Sequence, residues 1–214
     1  MVAKSAVHER PSLPSTLLGQ EALLESLRTI NLEFLTLMSE LAQASTYYSH
    51  DVLGNLSPLF RDLTPQSAAH AARFPFLLLD LPFLEPSWWN SEAMSRRSSV
   101  KDACKVPKAI SAGATPVARS ALILAWHAVR TERDASLVLL GLSSTSADAL
   151  ETMTLHELEG VALQDPTSIR PRWNNSPALW MQLLQRPQTS HLNVARDFVV
   201  HALQLTASTH LRRP

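Results

Sequence analysis

Residues 17–44 read LLGQEALLESLRTINLEFLTLMSELAQA, and their apolar members decide the fold class. Leu23, Leu24, Leu27, Ile30, Phe34, Leu35, Met38 and Leu41 recur at steps of three and four, which lays an apolar face along about six turns of helix. Glu21, Glu25, Arg28, Glu33 and Glu40 fall mostly on the other side. A long amphipathic helix is therefore expected at this end of the chain.

Shorter pieces follow. Val52-Leu53-Gly54 reads as a helix end, because glycine adopts the left-handed cap conformation at little cost. Ser57-Pro58 opens a short helix to Leu63, and Thr64-Pro65 opens another to Ala72, with Thr64 as N-cap and Pro65 in the first turn. Residues 74–84, FPFLLLDLPFL, are apolar but broken by Pro75 and Pro82, which suits a buried extended segment. In the second half Ala121, Leu122, Leu124, Ala125 and Val129 mark a helix, and a further one ends in Leu140-Gly141. Ser143–Ala147 is rich in N-cap residues, and Thr154 with Glu157 makes a capping box for a helix to about Leu163. Residues 168–173, SIRPRW, read as extended, and Ser176-Pro177 caps a helix to Gln185. A last helix, His191–Leu211, places Leu192, Ala195, Phe198, Val199, Ala202 and Leu205 on one face.

The fold class expected is all-α, in five parts: a tail at 1–16, a helical unit at 17–90, a basic linker at 91–117, a second unit at 118–187 and an amphipathic helix at 188–214. The linker assignment rests on Arg96, Arg97, Lys101, Lys105 and Lys108 among serines, prolines and Gly113, with almost no large apolar residue.

Composition narrows the function classes. The chain has 214 residues, is 45% hydrophobic and carries 19 basic against 19 acidic residues. That apolar content fits a folded core, and no apolar run approaches the ~20 residues of a membrane span. One cysteine, Cys104, excludes a disulfide framework or a cysteine-based zinc site within the chain. Residues 1–16 lack the apolar run of an export signal, so a cytoplasmic location is expected. Zero net charge argues against a nucleic-acid binder that relies on bulk electrostatics. The eight histidines form no metal-ligand spacing, the five glycines form no phosphate loop, and Cys104 has no histidine nearby in sequence. Neither an enzyme nor a bound cofactor is expected.

The two halves repeat one order of signals. Leu53-Gly54 corresponds to Leu140-Gly141, and Leu63-Thr64 to Met153-Thr154. An alanine-bearing helix, an extended piece and tryptophan close each half.

In the second half, Arg133-Asp134-Ala135-Ser136, Leu140-Gly141-Leu142-Ser143, Ala147, Ala149-Leu150, Met153-Thr154-Leu155, Leu158 and Ala162 resemble the FlhD family, the D subunit of the flagellar master transcriptional regulator. In the first half, Ile30-Asn31-Leu32-Glu33-Phe34-Leu35 resembles the I-N-L-x-[YF]-L start of the same family. The resemblance covers about 65 residues of each half and uses common residue types. It implies a helix-turn-helix-like fold, dimerisation, and promoter activation together with a C-subunit (FlhC-like) partner. Two units in one chain would then be a joined pseudo-dimer.

The candidate reading helices have the wrong charge for DNA. Residues 154–163 carry Glu157 and Glu159 with no Lys or Arg, and 65–73 carry only His70 and Arg73. Candidate DNA contacts are instead Arg170 and Arg172, as an extended arm, with surface salt bridges or capping contacts as the equal alternative, and Arg96, Arg97, Lys101 and Lys105 in the linker, for which a solvated charged loop is the first reading. Trp88, Trp89, Trp173 and Trp180 close the two units, and core closure over the helices is the first reading; as exposed side chains they are the candidate partner-binding anchors. The expectation is an FlhD-like regulator subunit that acts by protein–protein assembly, with a protein partner or promoter DNA and no membrane. A homo-oligomer is compatible with it. The other reading is a helical adaptor of a secretion or conjugation apparatus without DNA binding.

Overall fold

A computed structural model describes residues 15–44, 52–83, 85, 89, 108–164 and 168–184. The chain is mostly helical, in agreement with the all-α expectation. Helix α1 runs Ser15–Ala44. A 3-10 turn, Gly54–Leu56, leads into α2, Ser57–Arg61, and α3, Pro65–Ala71. The two-residue strand β1, Leu79–Asp80, ends the first half. In the second half come α4, Lys108–Thr131, α5, Arg133–Leu140, α6, Ser144–Thr152, and α7, Leu155–Gln164. Strand β2, Arg170–Pro171, and α8, Pro177–Leu184, close the described chain.

The punctuation seen in sequence works as expected. Thr64 accepts a hydrogen bond from the Ser67 amide at 3.1 Å, and Ser143 accepts one from the Ser146 amide at 3.0 Å. Thr154 and Glu157 form a reciprocal box: the Thr154 amide donates to Glu157 Oε2 at 2.7 Å and the Glu157 amide donates to Thr154 Oγ1 at 3.3 Å. Gly54 and Gly141 both sit at positive φ, +49° and +74°.

One boundary moves. Helix α4 begins at Lys108, ten residues before the expected start of the second unit, and contains Pro116. Ala114, Val117, Ala118 and Ala121 continue one buried face through the proline. The carbonyl that Pro116 leaves without a helical donor belongs to Ala112, which is on the exposed side of the helix. The signal was the three-four spacing of small residues. It was read as a linker because small residues, glycine and proline look like loop composition. The remainder of the linker, the tail 1–14 and the C-terminal segment 188–214 lie outside the described residues.

The halves interlock. Helix α1 packs on α2 and α3, α4 packs on α5, α6 and α7, and the two long helices pack on each other. Helix α8, from the end of the second half, packs back on α2 and α3 of the first. Phe60 and Trp180 meet there, ring centroids 5.2 Å apart. A single hydrophobic cluster runs from Leu27 through Phe34, Leu78, Ala125 and Leu150 to Leu184. Each fully buried large side chain in it contributes roughly 1.5–3 kcal/mol, and both halves supply such side chains. Leu24 of the expected α1 stripe is 42% exposed, whereas Asn31, a polar residue, is fully buried.

Candidate functional site

The halves meet at the antiparallel pair β1–β2, in the register Leu79 with Pro171 and Asp80 with Arg170. Two polar side chains fix it. From α1, Asn31 reaches the extended segment before β1: its Oδ1 accepts from the Leu78 amide at 2.8 Å and its Nδ2 donates to the Phe76 carbonyl at 2.9 Å. The Phe74 carbonyl lies 3.4 Å from the same Nδ2. A side-chain amide donates and accepts from adjacent atoms on a single plane, so it pairs with an extended backbone much as a neighbouring strand does.

From β2, Arg172 closes the other side. Its amide donates to the Leu78 carbonyl at 2.8 Å, and its guanidinium donates to the carbonyls of Leu139 at 3.1 Å and Leu77 at 3.4 Å. The Leu77 amide also donates to Leu139 O, at 2.9 Å, so the C-terminus of α5 is tied to the first half twice. The guanidinium lies 4.5 Å from the centre of the Trp173 ring, and the Trp180 indole donates to the Arg172 carbonyl at 2.8 Å. Gly141 leaves room for this arrangement, since a Cβ there would meet Arg172 Nη2 at 2.5 Å.

The electrostatics are costly. Burial pushes Asp80 up to about 6, although the positive charge of Arg172 and a hydrogen bond at the Phe83 backbone pull it down. Burial likewise lowers Arg172 to about 10 against the pull of Asp80. Both shifts follow desolvation, so the mutual attraction of the pair does not offset what taking it out of water costs. Among the described residues no buried side-chain polar atom lacks a partner.

This geometry corrects several sequence expectations. Arg172 is 8% exposed and bonded to backbone carbonyls, so it is no phosphate arm. Arg170 and Arg172 would share a face in a continuous strand. Here β2 stops at Pro171 and the chain enters a turn in which Trp173 takes a φ of +54°; Arg170 is exposed, whereas Arg172 is buried. Trp89 and Trp180 follow the core-closure reading, at 4% and 1% exposure, and are not partner anchors. Trp89 donates to the Pro82 carbonyl at 2.9 Å and stacks on Phe83. Trp173 is half-buried, edge-on to Phe74 and Phe76 with centroids 6.4 Å away, and remains a candidate surface anchor. Trp88, Arg96, Arg97, Lys101, Lys105 and Cys104 lie outside the described residues.

Sequence reasoning missed Asn31 and Arg172 as the junction's polar core. The signal for Asn31 was its place inside the apolar spacing, one step after Ile30 and three before Phe34. His156 faces solvent.

The helices in the position of DNA readers present little that suits phosphate. On α7, Leu155 is 51% and Leu163 68% exposed, beside exposed Glu157. Its Glu159 is paired with Arg119 of α4 at 2.7 Å. The Thr154 amide and hydroxyl hold the Glu157 carboxyl below its usual range, so it is charged at neutral pH. On α3, Gln66, Ala69 and His70 face outward. Among the described residues no cluster of three or more His, Cys, Asp or Glu is placed to hold a metal ion, and no helix is long and apolar enough to cross a membrane. Compared with protein-family models, with characterised proteins and with solved structures, the chain matches none.

Proposed function

We propose that the chain is a non-enzymatic regulator subunit of FlhD-like type that works by protein–protein assembly, its two halves standing for the two copies of a dimer. The carrying observation is the outward face of α7. Two leucines more than half exposed, with acidic neighbours, are suited to a protein surface and repel a phosphate backbone. The layout of the halves lends support: in each, a long helix lies over short ones, and the extended pieces pair antiparallel across the junction. DNA contact, in this reading, belongs to an FlhC-like partner or to Arg96, Arg97, Lys101 and Lys105, assisted by exposed Arg170.

The second reading, a helical adaptor of a secretion or conjugation apparatus, draws on the loss of Arg172 as a phosphate contact. The two separate by titrating promoter-length duplex with the chain at two salt concentrations, alone and with its co-purified partner. The regulator reading expects salt-dependent binding with the partner and little without it. Absence of such binding in both cases overturns it and leaves the adaptor.

A further inference from the structure

Along the seam of the two long helices lies a groove of about 380 Å³, lined by Leu32, Glu33, Thr36, Leu37 and Glu40 of α1 and by Gly113 and Val117 of α4. Its depth comes from Gly113, where even a Cβ would stand 2.9 Å from Leu37 Cδ1. The floor is apolar, with Leu37 and Val117 buried, and Leu32 remains 40% exposed at the edge. Glu33 and Glu40 are exposed, and among the described residues no basic side chain lines the groove. Seven residues apart on one helix, they stand about 10 Å from each other along its axis.

We propose that this groove docks an amphipathic helix of a partner protein, its apolar face over Leu32, Leu37 and Val117 and its Lys or Arg residues one heptad apart against Glu33 and Glu40. An apolar trough of this form is what a third helix needs to pack into a two-helix seam. The acidic rim selects a basic partner and excludes an acidic one, since like charges there would be costly. Within the chain the match is poor. The basic residues of 96–108 come with almost no large apolar side chain, and 191–211 carry Arg196 beside Asp197 with no second Arg or Lys until Arg212.

The test uses the full chain and a fluorescent synthetic helix of about three heptads, leucine at a and d and lysine at e and g. Anisotropy should show saturable binding that weakens with salt, and a glutamate counterpart of the peptide should not bind. Glu33→Lys with Glu40→Lys should weaken binding about tenfold or more, with helicity and melting temperature unchanged. Thr36→Trp, which fills the groove and leaves its charge alone, should weaken it as much. No binding, binding untouched by Thr36→Trp, or equal binding of the acidic peptide overturns the proposal. So does tighter binding after Phe198→Asp, because the chain's own C-terminal segment would then be the occupant.

Discussion

Replacing Asn31 by alanine tests whether the junction is held by hydrogen bonds as much as by apolar packing. The substitution leaves the Leu78 amide without the acceptor it now has at 2.8 Å and the Phe76 carbonyl without its donor at 2.9 Å. The Asn31 side chain and both of those residues are buried, so water does not replace the bonds without opening the site. Each orphaned group costs about 1–3 kcal/mol, which puts the loss near 4 kcal/mol before any cavity term. For a chain of this size that is a fall of roughly 8–16 °C in melting temperature, at about 2–4 °C per kcal/mol. Calorimetry or denaturant unfolding supplies the magnitude, and hydrogen exchange at the Leu78 amide supplies the location. The Asn31→Leu variant separates the two causes, since it restores volume without the bonds and should stay destabilised. A loss under about 1 kcal/mol, unchanged protection at Leu78, or full recovery in Asn31→Leu would refute the reasoning.

Three further outcomes are expected. Gly141→Ala should cost about 2 kcal/mol or more, from the left-handed conformation at +74° and from displacing the Arg172 guanidinium; a normal melting curve would contradict the packing described. Thr154→Ala should cost about 1 kcal/mol by opening the capping box, measured by urea unfolding, and an unchanged midpoint would count against the cap. Asp80 binds its proton more tightly folded than unfolded, about 6 against 3.8. Between those values the folded chain holds more protons, so this group's contribution to stability falls as pH rises from about 4 to about 6 and levels off above. Asp80→Asn should therefore gain on the parent across that window by at most about 3 kcal/mol, whatever its offset at low pH; a flat difference would refute the assignment.

The helices were legible because their signals are local. Thr64, Ser143, Thr154 and the two glycines act within one turn of themselves, and each cap forms as its spacing implies. What failed was whatever depends on partners distant in sequence. Arg172 binds carbonyls 33 and 95 residues away, and Asn31 reaches 47 residues to Leu78. An arginine within SIRPRW has every local mark of a surface residue, and only the distant carbonyls of Leu77 and Leu139 account for its place inside. Helix α4 was half-legible for a related reason. Ala114, Val117 and Ala118 kept helical spacing, but their side chains are too small to outweigh Gly113 and Pro116 unless the opposing face of α1 is known.

The junction also explains why two tryptophans with the local marks of interface anchors are internal. Trp180 belongs to the second half, yet its ring closes on Phe60 of the first and its indole nitrogen holds the backbone of Arg172. Anything that pulls α8 away exposes that ring and frees the carbonyl that it bonds, and thereby loosens the arginine that ties Leu139 to Leu77. The halves are thus coupled through side chains that each supplies to the other. An assembly partner that inserted between the halves would have to break this coupling first. A partner therefore gains most from surfaces that leave the junction closed, namely the outer face of α7 and the seam between α1 and α4.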